Sequence, residues 1–390
     1  MHLLFATSIV PDGALASGYE IANAAIIEAL RRAGVRVTVV GFIWPGKVPS
    51  DPQNTIVLGA VEVRTESASP LRKLAWLGKA VLSGLTFSSV KLRAVPDAEV
   101  RAAIERAGPF DGYVLNSVQF AGAFESVLRD RPSIFVAHNV EHRSAEENAA
   151  AAGSAFQRWM FRREARLLAI MERRLCGAAR FVFTLADEDR AALGVASDAQ
   201  SAVLPLVTRA EAPSKKGPRH IDCDAALIGT WTWQPNRIGL DWFLAEVVPH
   251  LRADFRIRIA GGTPSGMVSR HPGVEFVGRV PDAQAFVRGG AVIPLISTAG
   301  SGVQLKTIET FELGLPSVAT SRSLRGIGHR PANCVVTDDP VAFAAALEAA
   351  AADIHDIDGS AFHRRQVKAL DAAIGLGLEK LGAVRQEVAA

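Results

Sequence analysis

The sequence predicts an α/β protein of two domains, each built on a parallel β-sheet. Its 390 residues exceed what one ordinary hydrophobic core holds and suit two domains of similar size. Short apolar runs typical of buried strands alternate with helical patterns in both halves of the chain. In each half a glycine-containing loop follows the first strand and precedes a helix. That arrangement places a small-molecule site at the carboxyl end of the strand.

The composition excludes several classes of protein. Apolar residues make up 49% of the chain and charged residues 21%, as in a soluble globular protein. The cysteines Cys176, Cys223 and Cys334 lie far apart, which argues for a reducing compartment and against a disulfide framework or a zinc site. No apolar run is long enough for a signal peptide or a membrane span, and a net charge of +3 is too small to indicate nucleic acid. We expect a cytoplasmic protein with no metal, no cofactor and no nucleic-acid partner.

The first domain is expected to span residues 1–208. A buried strand at 3–7 leads into a loop with Gly13 and Gly18, and a helix runs from there to Ala33. The two glycines are not spaced as GxGxxG, so a nicotinamide cofactor is not indicated. They form either part of an acceptor-binding loop or a flexible connection.

A cluster of titratable residues follows a second pair of predicted strands in this domain. Asn116 comes directly after the predicted strand at 110–115. Residues 138–143, from His138 to Arg143, come directly after the predicted strand at 133–137. The catalytic residues of an α/β enzyme usually lie at such a position, at the carboxyl end of a strand. The alternative is a lone surface histidine. The resulting candidates are His138, Glu141 and Asp12 for catalysis, with Asn116, Asn139, Gly13 and Gly18 for acceptor binding.

The segment 71–93 is basic, apolar and free of acidic residues. A basic amphipathic segment suits the anionic face of a membrane, and a second cluster of arginines and aromatic residues at 158–166 favours the same interpretation. The protein would then be peripheral on the inner face of the cell membrane. The alternative is a helix that packs on the first domain and keeps its lysines in water.

The stretch 298–328 holds the most specific pattern in the chain. Gly300-Ser301-Gly302 precedes a short helix with Lys306 and Glu309 on one face, and Gly314 ends that helix. Glycines before a helix leave backbone N–H groups to face an anion, and the helix N-terminus adds a partial positive charge. The pattern therefore indicates a diphosphate site, with Lys306 as a cation and Glu309 as an acceptor for sugar hydroxyls.

At these residues the chain resembles the GT-B glycosyltransferases, and within them family 4. The matching positions are Gly300, Gly302, Lys306, Glu309, Gly314 and Pro316. The resemblance implies two Rossmann-like domains that face each other across a central cleft, and a C-terminal helix that crosses back to the first domain. It also implies that Glu309 holds the ribose of the nucleotide and that Lys306 faces the diphosphate. His138 and Asn139 match a pair that often faces the donor sugar.

The rest of the second domain is interpreted in the same way. Residues 209–220 are polar, contain two prolines and are predicted to be the linker, and residues 221–390 form the second domain. Gly229 and Thr230 form a second glycine turn, after which Arg237 is expected to reach a phosphate. The backbone around Arg279 is expected to contact the base.

The sequence departs from the family pattern at two positions. Ser301 stands where many members have a glutamate at the donor sugar, and Arg325 stands where a glutamate is common. Arg325 either pairs with an anionic donor sugar or is an exposed loop arginine. We expect transfer of a sugar from a nucleoside diphosphate sugar to a carbohydrate acceptor, with a polyprenyl-linked glycan precursor as the favoured acceptor.

Family 4 membership implies retention of configuration without a dedicated nucleophile, and no DxD pair calls for a metal. An inverting enzyme would instead need a general base in the first domain, with Asp12, Glu141 and His142 as candidates. Two alternatives stay open. One is a GT-B sugar-nucleotide epimerase, and the other is a non-catalytic sugar-nucleotide-binding module.

Overall fold

The protein consists of two compact units, described by a computed structural model. The first unit contains Met1–Leu206 and Ala369–Ala390, and the second contains Val207–Lys368. Each unit is an α/β structure with one parallel sheet, which confirms the predicted fold class. The structure describes residues 1–14, 17–63, 69–213, 219–264 and 266–382.

Seven parallel strands form the sheet of the first unit. They are β1 (His2–Ile9), β2 (Arg36–Ile43), β3 (Thr55–Ala60), β4 (Gly112–Asn116), β5 (Ser133–Ala137), β6 (Phe181–Thr184) and β7 (Ser201–Val203). Their order in the sheet is β3-β2-β1-β4-β5-β6-β7. The order reverses between β1 and β4, where Thr7 pairs in register with Asn116. In sheets of this type a ligand binds beside the carboxyl ends of the strands at the reversal point.

The helices of the first unit connect these strands. They are α1 (Gly18–Arg32), α2 (Pro70–Ser83), α3 (Phe87–Leu92), α4 (Asp97–Glu105), α5 (Val118–Ala123), α6 (Glu141–Ala150), α7 (Ala155–Ala178) and α8 (Asp187–Ala192). Several start at a serine whose hydroxyl accepts a hydrogen bond from the N–H group three residues later, as at Ser17, Ser69 and Ser154. A 3₁₀ turn at Pro52–Asn54 precedes β3.

Burial explains why β1 and β2 are nearly continuous apolar runs. All eight residues of β1 and seven of the eight in β2 are buried. Helices cover both faces of a parallel sheet, so neither face can be polar. Polar residues in β1, such as Thr7, therefore need partners inside the protein.

The second unit contains a sheet of six parallel strands. They are β8 (Cys223–Ile228), β9 (Ile257–Ala260), β10 (Val274–Gly278), β11 (Gly290–Leu295), β12 (Ser317–Ala319) and β13 (Cys334–Val336). Their order is β10-β9-β8-β11-β12-β13, so this sheet reverses between β8 and β11. The carboxyl ends of these two strands mark the corresponding candidate site.

Five helices lie in or begin in the described part of the second unit. They are α9 (Gln234–Trp242), α10 (Ala283–Arg288), α11 (Leu305–Glu312), α12 (Pro340–Ala352) and α13 (Ser360–Gly382). Helix α9 continues through a π-helical turn at Phe243–Val247 and a 3₁₀ turn at Val248–His250, and a further 3₁₀ turn spans Ser321–Leu324. Helix α13 begins in the second unit, and its residues from Ala369 onward belong to the first.

Some predicted boundaries lie partly outside the described residues. Residues 214–218 of the predicted linker and 383–387 of the predicted terminal helix are among them. The predicted domain limits therefore stay a prediction. The sequence also gave no expectation for β3, β7 and β13, which lie at or beside the sheet edges and are three to six residues long.

Candidate functional site

The glycine loop before α11 has the backbone conformation that only glycine adopts readily. Gly300 has φ +88° and Gly302 has φ +72°, both in the left-handed region. A Cβ atom at Gly300 would also lie 2.9 Å from Cβ of Pro235, at the start of α9. Gly300 is therefore required by both the turn and the packing, and Gly302 is required by the turn.

Two arginines donate hydrogen bonds to backbone carbonyl oxygens of this loop. Arg325 donates from Nε to the carbonyl oxygen of Gly302 at 3.0 Å and from Nη1 to that of Gly300. Arg322 donates from Nη2 to the same oxygen of Gly300 at 2.8 Å. Arg325 is only 8% exposed, so the expectation of an exposed loop arginine is wrong. Its guanidinium orders the loop and places positive charge beside it.

Lys306 and Glu309 line one small pocket, as their spacing on α11 predicts. Trp231 forms another wall, and the Lys306 ammonium lies 5.3 Å from the centroid of its indole ring. The indole is held by a hydrogen bond from Nε1 to the carbonyl oxygen of Ala260 at 2.8 Å. The remaining lining residues are Leu227, Ile228, Val287, Ile293, Pro294, Leu295 and Thr310.

Burial shifts the pKa of both charged residues in the pocket. It lowers the pKa of Lys306 to about 8, because a buried ammonium loses hydration. Burial also raises the pKa of Glu309, while Arg209, whose Nη2 lies 3.8 Å from Oε1, acts in the opposite direction. The pocket thus contains a cation for an anionic ligand and a carboxylate for hydroxyl groups.

Arg209 is itself held by a buried carboxylate that the sequence analysis did not single out. Glu312, at the end of α11, is fully buried and accepts from Nε of Arg209 at 3.3 Å. It also accepts from the backbone N–H of Thr208 at 3.0 Å and from the Thr208 hydroxyl. Arg209 lies in the predicted linker, where a polar composition gives no sign of a specific contact.

The other predicted donor-binding residues lie outside the lining of this pocket. Arg237 pairs through Nε with Asp241 at 2.7 Å, and Arg279 is exposed after β10. Thr230 is exposed and its carbonyl oxygen accepts from Asn236 at 3.2 Å. The four remaining predicted residues are Gly229, which is partly buried, and Gly300, Ser301 and Gly302, which are buried in the glycine loop.

In the first unit, polar side chains meet at the carboxyl ends of β1, β4 and β5. Asn116 is 0% exposed, and its Nδ2 donates to Oδ1 of Asn23 at 2.6 Å. His138 lies with Nε2 2.8 Å from Oδ1 of Asn116, and its ring centroid is 5.2 Å from that of Tyr19. The Tyr19 hydroxyl in turn bonds the Thr7 hydroxyl at 2.7 Å.

This arrangement changes the role expected of Asn116. The sequence suggests contact with an acceptor, but the buried amide is placed to hold His138. No local motif in the sequence marks Tyr19, Asn23 or Thr7, which come from α1 and β1. Burial lowers the pKa of His138 to about 4, so the imidazole is neutral at ordinary pH.

Glu141 and His142 begin α6 beside a second buried carboxylate. Glu172 accepts from the backbone N–H of Glu141 at 2.6 Å and from Nδ1 of His142 at 2.6 Å, so it caps the helix. Burial and the nearby Glu172 raise the pKa of Glu141. Nδ2 of Asn139 lies 3.4 Å from Oε1 of Glu141. Glu141 therefore has the shifted protonation expected of a general acid or base.

The turn between β4 and α5 carries backbone strain. Ser117 has φ +71° and is the one non-glycine with a positive φ among the residues that the structure describes. Such strain is common at functional sites. Asp12 lies in the loop after β1, where its carboxylate accepts from the N–H of Ala14 at 2.9 Å and lies 3.4 Å from Nζ of Lys47. Gly13 and Gly18 are exposed on either side of residues 15 and 16, which lie outside the described residues.

The basic segment 71–93 forms α2 and α3, and its charges divide into two groups. Lys91 donates to the carbonyl oxygen of Val63 at 3.0 Å, and Arg93 donates to that of Ala123 at 2.9 Å. These two therefore have structural partners. The other three, Arg72, Lys73 and Lys79, lie on α2, and the first and last of them are exposed.

The described residues contain neither a cluster suited to a metal ion nor a helix suited to crossing a membrane. Within residues 1–14, 17–63, 69–213, 219–264 and 266–382, no group of three or more His, Cys, Asp or Glu side chains is arranged to hold a metal ion. Over the same residues, no helix is both long enough and apolar enough to cross a membrane.

Comparison with known proteins identifies the second unit. Residues 224–353 match the family described as glycosyl transferases group 1. The second unit is a group 1 glycosyl transferase domain. This agrees with the resemblance found at the glycine loop and α11, and it supports a glycosyltransferase. No curated protein matches the chain by sequence.

Solved structures show that the whole chain has the GT-B fold of these glycosyltransferases. HepE of Anabaena in complex with UDP is 14% identical with a TM-score of 0.54, covering 100% of this chain and 98% of HepE. HepE in complex with UDP-glucose gives a TM-score of 0.55 at 13% identity, over the same shares of both chains. The lipopolysaccharide outer core galactosyltransferase WaaB, in its apo form, is 12% identical with a TM-score of 0.52, covering 96% of this chain and 99% of WaaB.

Proposed function

We propose that the protein transfers a sugar from a nucleoside diphosphate sugar to a hydroxyl group of a carbohydrate acceptor. The observation that carries this proposal is the joint position of Lys306 and Glu309 in one pocket, on the helix that follows the glycine loop in the chain. Lys306 would bind the diphosphate, and Glu309 would accept hydrogen bonds from the ribose hydroxyls. Uridine is the first base to test, because HepE holds UDP and UDP-glucose.

Transfer without a metal ion is part of the proposal. Negative charge develops on the leaving diphosphate, and preorganised positive charge stabilises it. Lys306 supplies one such charge, and the guanidinium groups of Arg322 and Arg325 lie beside the glycine loop. Sugar transfer that persists in excess EDTA would support a reaction without a metal ion. Loss of transfer in EDTA, with recovery when Mg²⁺ is added, would refute a reaction without a metal ion.

Retention of the anomeric configuration is likewise proposed, from the resemblance to family 4. The configuration of the product, measured by NMR before it mutarotates, decides the question. An inverted product would require a general base, and Glu141 would be the first candidate because of its raised pKa. His138 would then hold the sugar rather than take its proton.

A lipid-linked acceptor at the cytoplasmic face of a membrane is proposed from the surface of α2. Leu71, Leu74 and Leu82 are 80%, 65% and 90% exposed. Exposed leucines beside basic residues suit the boundary between lipid headgroups and acyl chains. Near α2, helix α7 presents Phe156 and Trp159, which are 59% and 53% exposed.

The two helices are joined directly. Arg163 of α7 donates from Nη2 to the carbonyl oxygen of Ala80 in α2 at 2.6 Å. Glu164, the next residue of α7, accepts from the N–H of Phe87 at the start of α3 at 2.8 Å. The exposed apolar residues of α2 and α7 therefore belong to one packed group of helices. We expect that group to bind vesicles of anionic lipid.

Vesicle flotation tests this part of the proposal. Changing Arg72, Lys73 and Lys79 together to Gln should weaken binding to phosphatidylglycerol vesicles by roughly 10²-fold, at about 1 kcal/mol for each basic residue. The matched control changes the same number of exposed arginines elsewhere in the first unit to Gln, at Arg36, Arg101 and Arg106. Equal binding by the two triple variants would refute a membrane role for α2.

Donor binding is tested by calorimetry and thermal shift. A ligand that binds the native state alone raises its apparent stability, so nucleoside diphosphates and their sugar conjugates should raise Tm selectively. Conversion of a sugar nucleotide to its epimer without an acceptor would identify an epimerase. Binding with no turnover of any donor and acceptor pair would identify a binding module.

A further inference from the structure

We infer that Arg209 is a positioning residue that pairs with Glu309 and keeps its carboxylate an acceptor of hydrogen bonds in the pocket. Glu312 and His363 fix Arg209 in that place. All four residues belong to the second unit. The pairing follows from the contacts themselves, and its consequence for nucleotide binding rests on the proposed function.

The main chain at Arg209 is fixed on both sides. The backbone N–H of Thr208 donates to Oε1 of Glu312 at 3.0 Å, and the Thr208 hydroxyl donates to Oε2. Nε2 of His363 in α13 lies 3.0 Å from the carbonyl oxygen of Arg209, which can only accept, so the ring donates. The backbone of Arg209 is therefore held against both α11 and α13.

The guanidinium group of Arg209 lies beside two carboxylates that are three residues apart on α11. Its Nε donates to Oε2 of Glu312 at 3.3 Å, and its Nη2 lies 3.8 Å from Oε1 of Glu309. The side chain of Glu312 is fully buried, so a charge there needs the bond to Arg209. The bond to Glu312 fixes the planar guanidinium, and its second arm is then directed at Glu309.

Arg209 acts on the pocket through Glu309. Glu309 lines the pocket, and Arg209 is not among its lining residues. Nη2 of Arg209 is buried from solvent and has no hydrogen-bond partner among the residues that the structure describes. A buried cation next to a carboxylate favours the ionised form of that carboxylate. We therefore assign Arg209 to positioning and not to contact with the ligand.

Arg209 is a cation that opposes protonation of Glu309. Burial raises the pKa of Glu309 most, and the carboxylates of Glu312 and of Asp282, which directly precedes α10, raise it as well. Arg209 and a hydrogen bond with Gln284 lower it. Without the guanidinium, burial and two negative charges would favour the protonated form, which has fewer sites to accept a hydroxyl hydrogen.

Lys306 is a separate titrating group in the pocket. Its ammonium lies 5.3 Å from the centroid of the Trp231 indole, and burial lowers its pKa to about 8. Loss of the ammonium would weaken anion binding above that pH, whereas protonation of Glu309 would weaken nucleotide binding at lower pH. A change at Arg209 should move only the lower of these two limits.

Carbon NMR of protein labelled with ¹³C at the glutamate carboxyl carbons tests the pairing without a ligand. The signal of Glu309 is the one that Glu309→Gln removes. We expect Glu309 to take up its proton at a higher pH in Arg209→Gln than in the wild type, because the guanidinium is lost. The same midpoint in both proteins would overturn the inference.

Arg209→Lys keeps the measurement possible if Arg209→Gln does not fold. A lysine keeps a positive charge for the buried Glu312, but it lacks the second arm of the guanidinium. The midpoint of Glu309 should therefore rise in this variant too, by less than in Arg209→Gln. A wild-type midpoint in Arg209→Lys, when that is the variant that folds, would overturn the inference.

Arg219→Gln is the matched control. Arg219 lies in the same unit with a side chain that is 3% exposed, donates to the carbonyl oxygen of Arg288 at 2.7 Å and pairs with Asp356 at 2.7 Å. Its replacement should lower the stability of the fold and leave the midpoint of Glu309 unchanged. An equal shift in Arg209→Gln and Arg219→Gln would refute a specific pairing.

Nucleotide affinity then connects the pairing to the proposed function. The ratio of wild-type to Arg209→Gln affinity for UDP should be near one at pH 8 and should rise toward about tenfold at pH 5, since one pKa unit corresponds to about tenfold. Titration of the nucleotide itself cancels in this ratio, because both proteins bind the same ligand. A ratio that does not change with pH would indicate a structural loss and would refute the positioning role.

A double-variant cycle at pH 6 separates positioning from general loosening of the fold. In the Glu309→Gln background, Arg209→Gln should cause no further loss of UDP affinity, because the carboxylate that it acts on is absent. Arg219→Gln should have the same effect on affinity in either background. Losses from Arg209→Gln and Glu309→Gln that add would refute the positioning role.

The inference and the proposed function fail separately. A higher Glu309 midpoint in Arg209→Gln, with no nucleotide that binds the wild type, would refute the proposed function alone. Selective nucleotide binding that is lost in Glu309→Ala, with an unchanged Glu309 midpoint in Arg209→Gln, would refute the inference alone.

Discussion

The two candidate sites occupy equivalent places in their sheets but are built in opposite ways. In the second unit, the pocket beside β8 and β11 holds a lysine and a carboxylate, and Arg209 lies beside that carboxylate. In the first unit, the carboxyl ends of β1 and β4 hold an uncharged network of amides and hydroxyls around His138. The first arrangement suits an anionic ligand, and the second suits the orientation of a neutral group.

This contrast explains how each site tolerates burial. A buried charge is unfavourable unless another charge or several hydrogen bonds compensate it, so Glu309 and Glu312 share Arg209. A neutral amide needs only matched donors and acceptors, which the asparagines supply to each other. Substitutions in the second unit should therefore mainly affect ligand binding. Substitutions in the first unit should mainly affect the stability of the fold and the hydrogen bonding of His138.

The largest effect is expected for Glu309→Ala. Loss of the carboxylate removes the proposed hydrogen bonds to the ribose, and kcat/KM should fall by about 10²-fold. Donor affinity measured by calorimetry should fall with it. Glu309→Gln is the matched control for shape and should recover part of the affinity. Full activity of folded Glu309→Ala would remove Glu309 from the site.

Gly300→Ala should have the next largest effect. The substitution forces a left-handed φ on a residue with a Cβ and brings that atom against Pro235, which should cost about 1–3 kcal/mol of stability. Thermal unfolding measures this change, and nucleotide affinity should fall roughly tenfold because the loop is displaced. Gly328→Ala is the control, since a Cβ there meets no atom within 4 Å. Equal losses at both glycines would show that the loop has no special role.

Donor affinity should depend on pH through Lys306. Its pKa of about 8 means that the ammonium is present below that pH and is lost above it. Affinity for a nucleoside diphosphate should therefore fall about tenfold per pH unit above pH 8, with one proton taken up on binding. Calorimetry in buffers of different ionisation enthalpy measures the proton. The same slope in Lys306→Met would assign the titration to another group.

The smallest effect is expected for Tyr19→Phe. The change removes the hydroxyl that bonds Thr7 and accepts from the N–H of Ser8, so stability should fall by about 1 kcal/mol. Donor affinity should be unchanged, because the donor pocket lies in the other unit. Chemical unfolding and calorimetry measure the two quantities. A weakened donor affinity in this variant would break the distinction between the two sites.

The sequence predicted the second site better than the first because its pattern is local. Gly300, Gly302, Lys306 and Glu309 fall within ten residues, and a turn followed by a helix is enough to bring them together. The prediction failed for Arg325, which was expected to be exposed. Its burial depends on two carbonyl oxygens more than twenty positions away in the chain.

The first site depends on contacts between distant segments. Asn116 and His138 were noticed because each follows a strand, but Thr7, Tyr19 and Asn23 lie about a hundred positions away from them. Only the register of β1 against β4 brings Thr7 beside Asn116. The same holds for Arg209, whose position in a polar stretch gives no indication of its contact with Glu312.

The sequence by itself determined that the chain forms two parallel α/β units, because strand and helix periodicity are local properties. It also determined the glycine loop and the helix with Lys306 and Glu309, because backbone freedom and helical spacing act over a few residues. Only the tertiary structure decided which polar groups are buried and which polar groups lie within hydrogen-bond distance of one another. Those outcomes depend on strand order and packing, which join residues that the sequence keeps far apart.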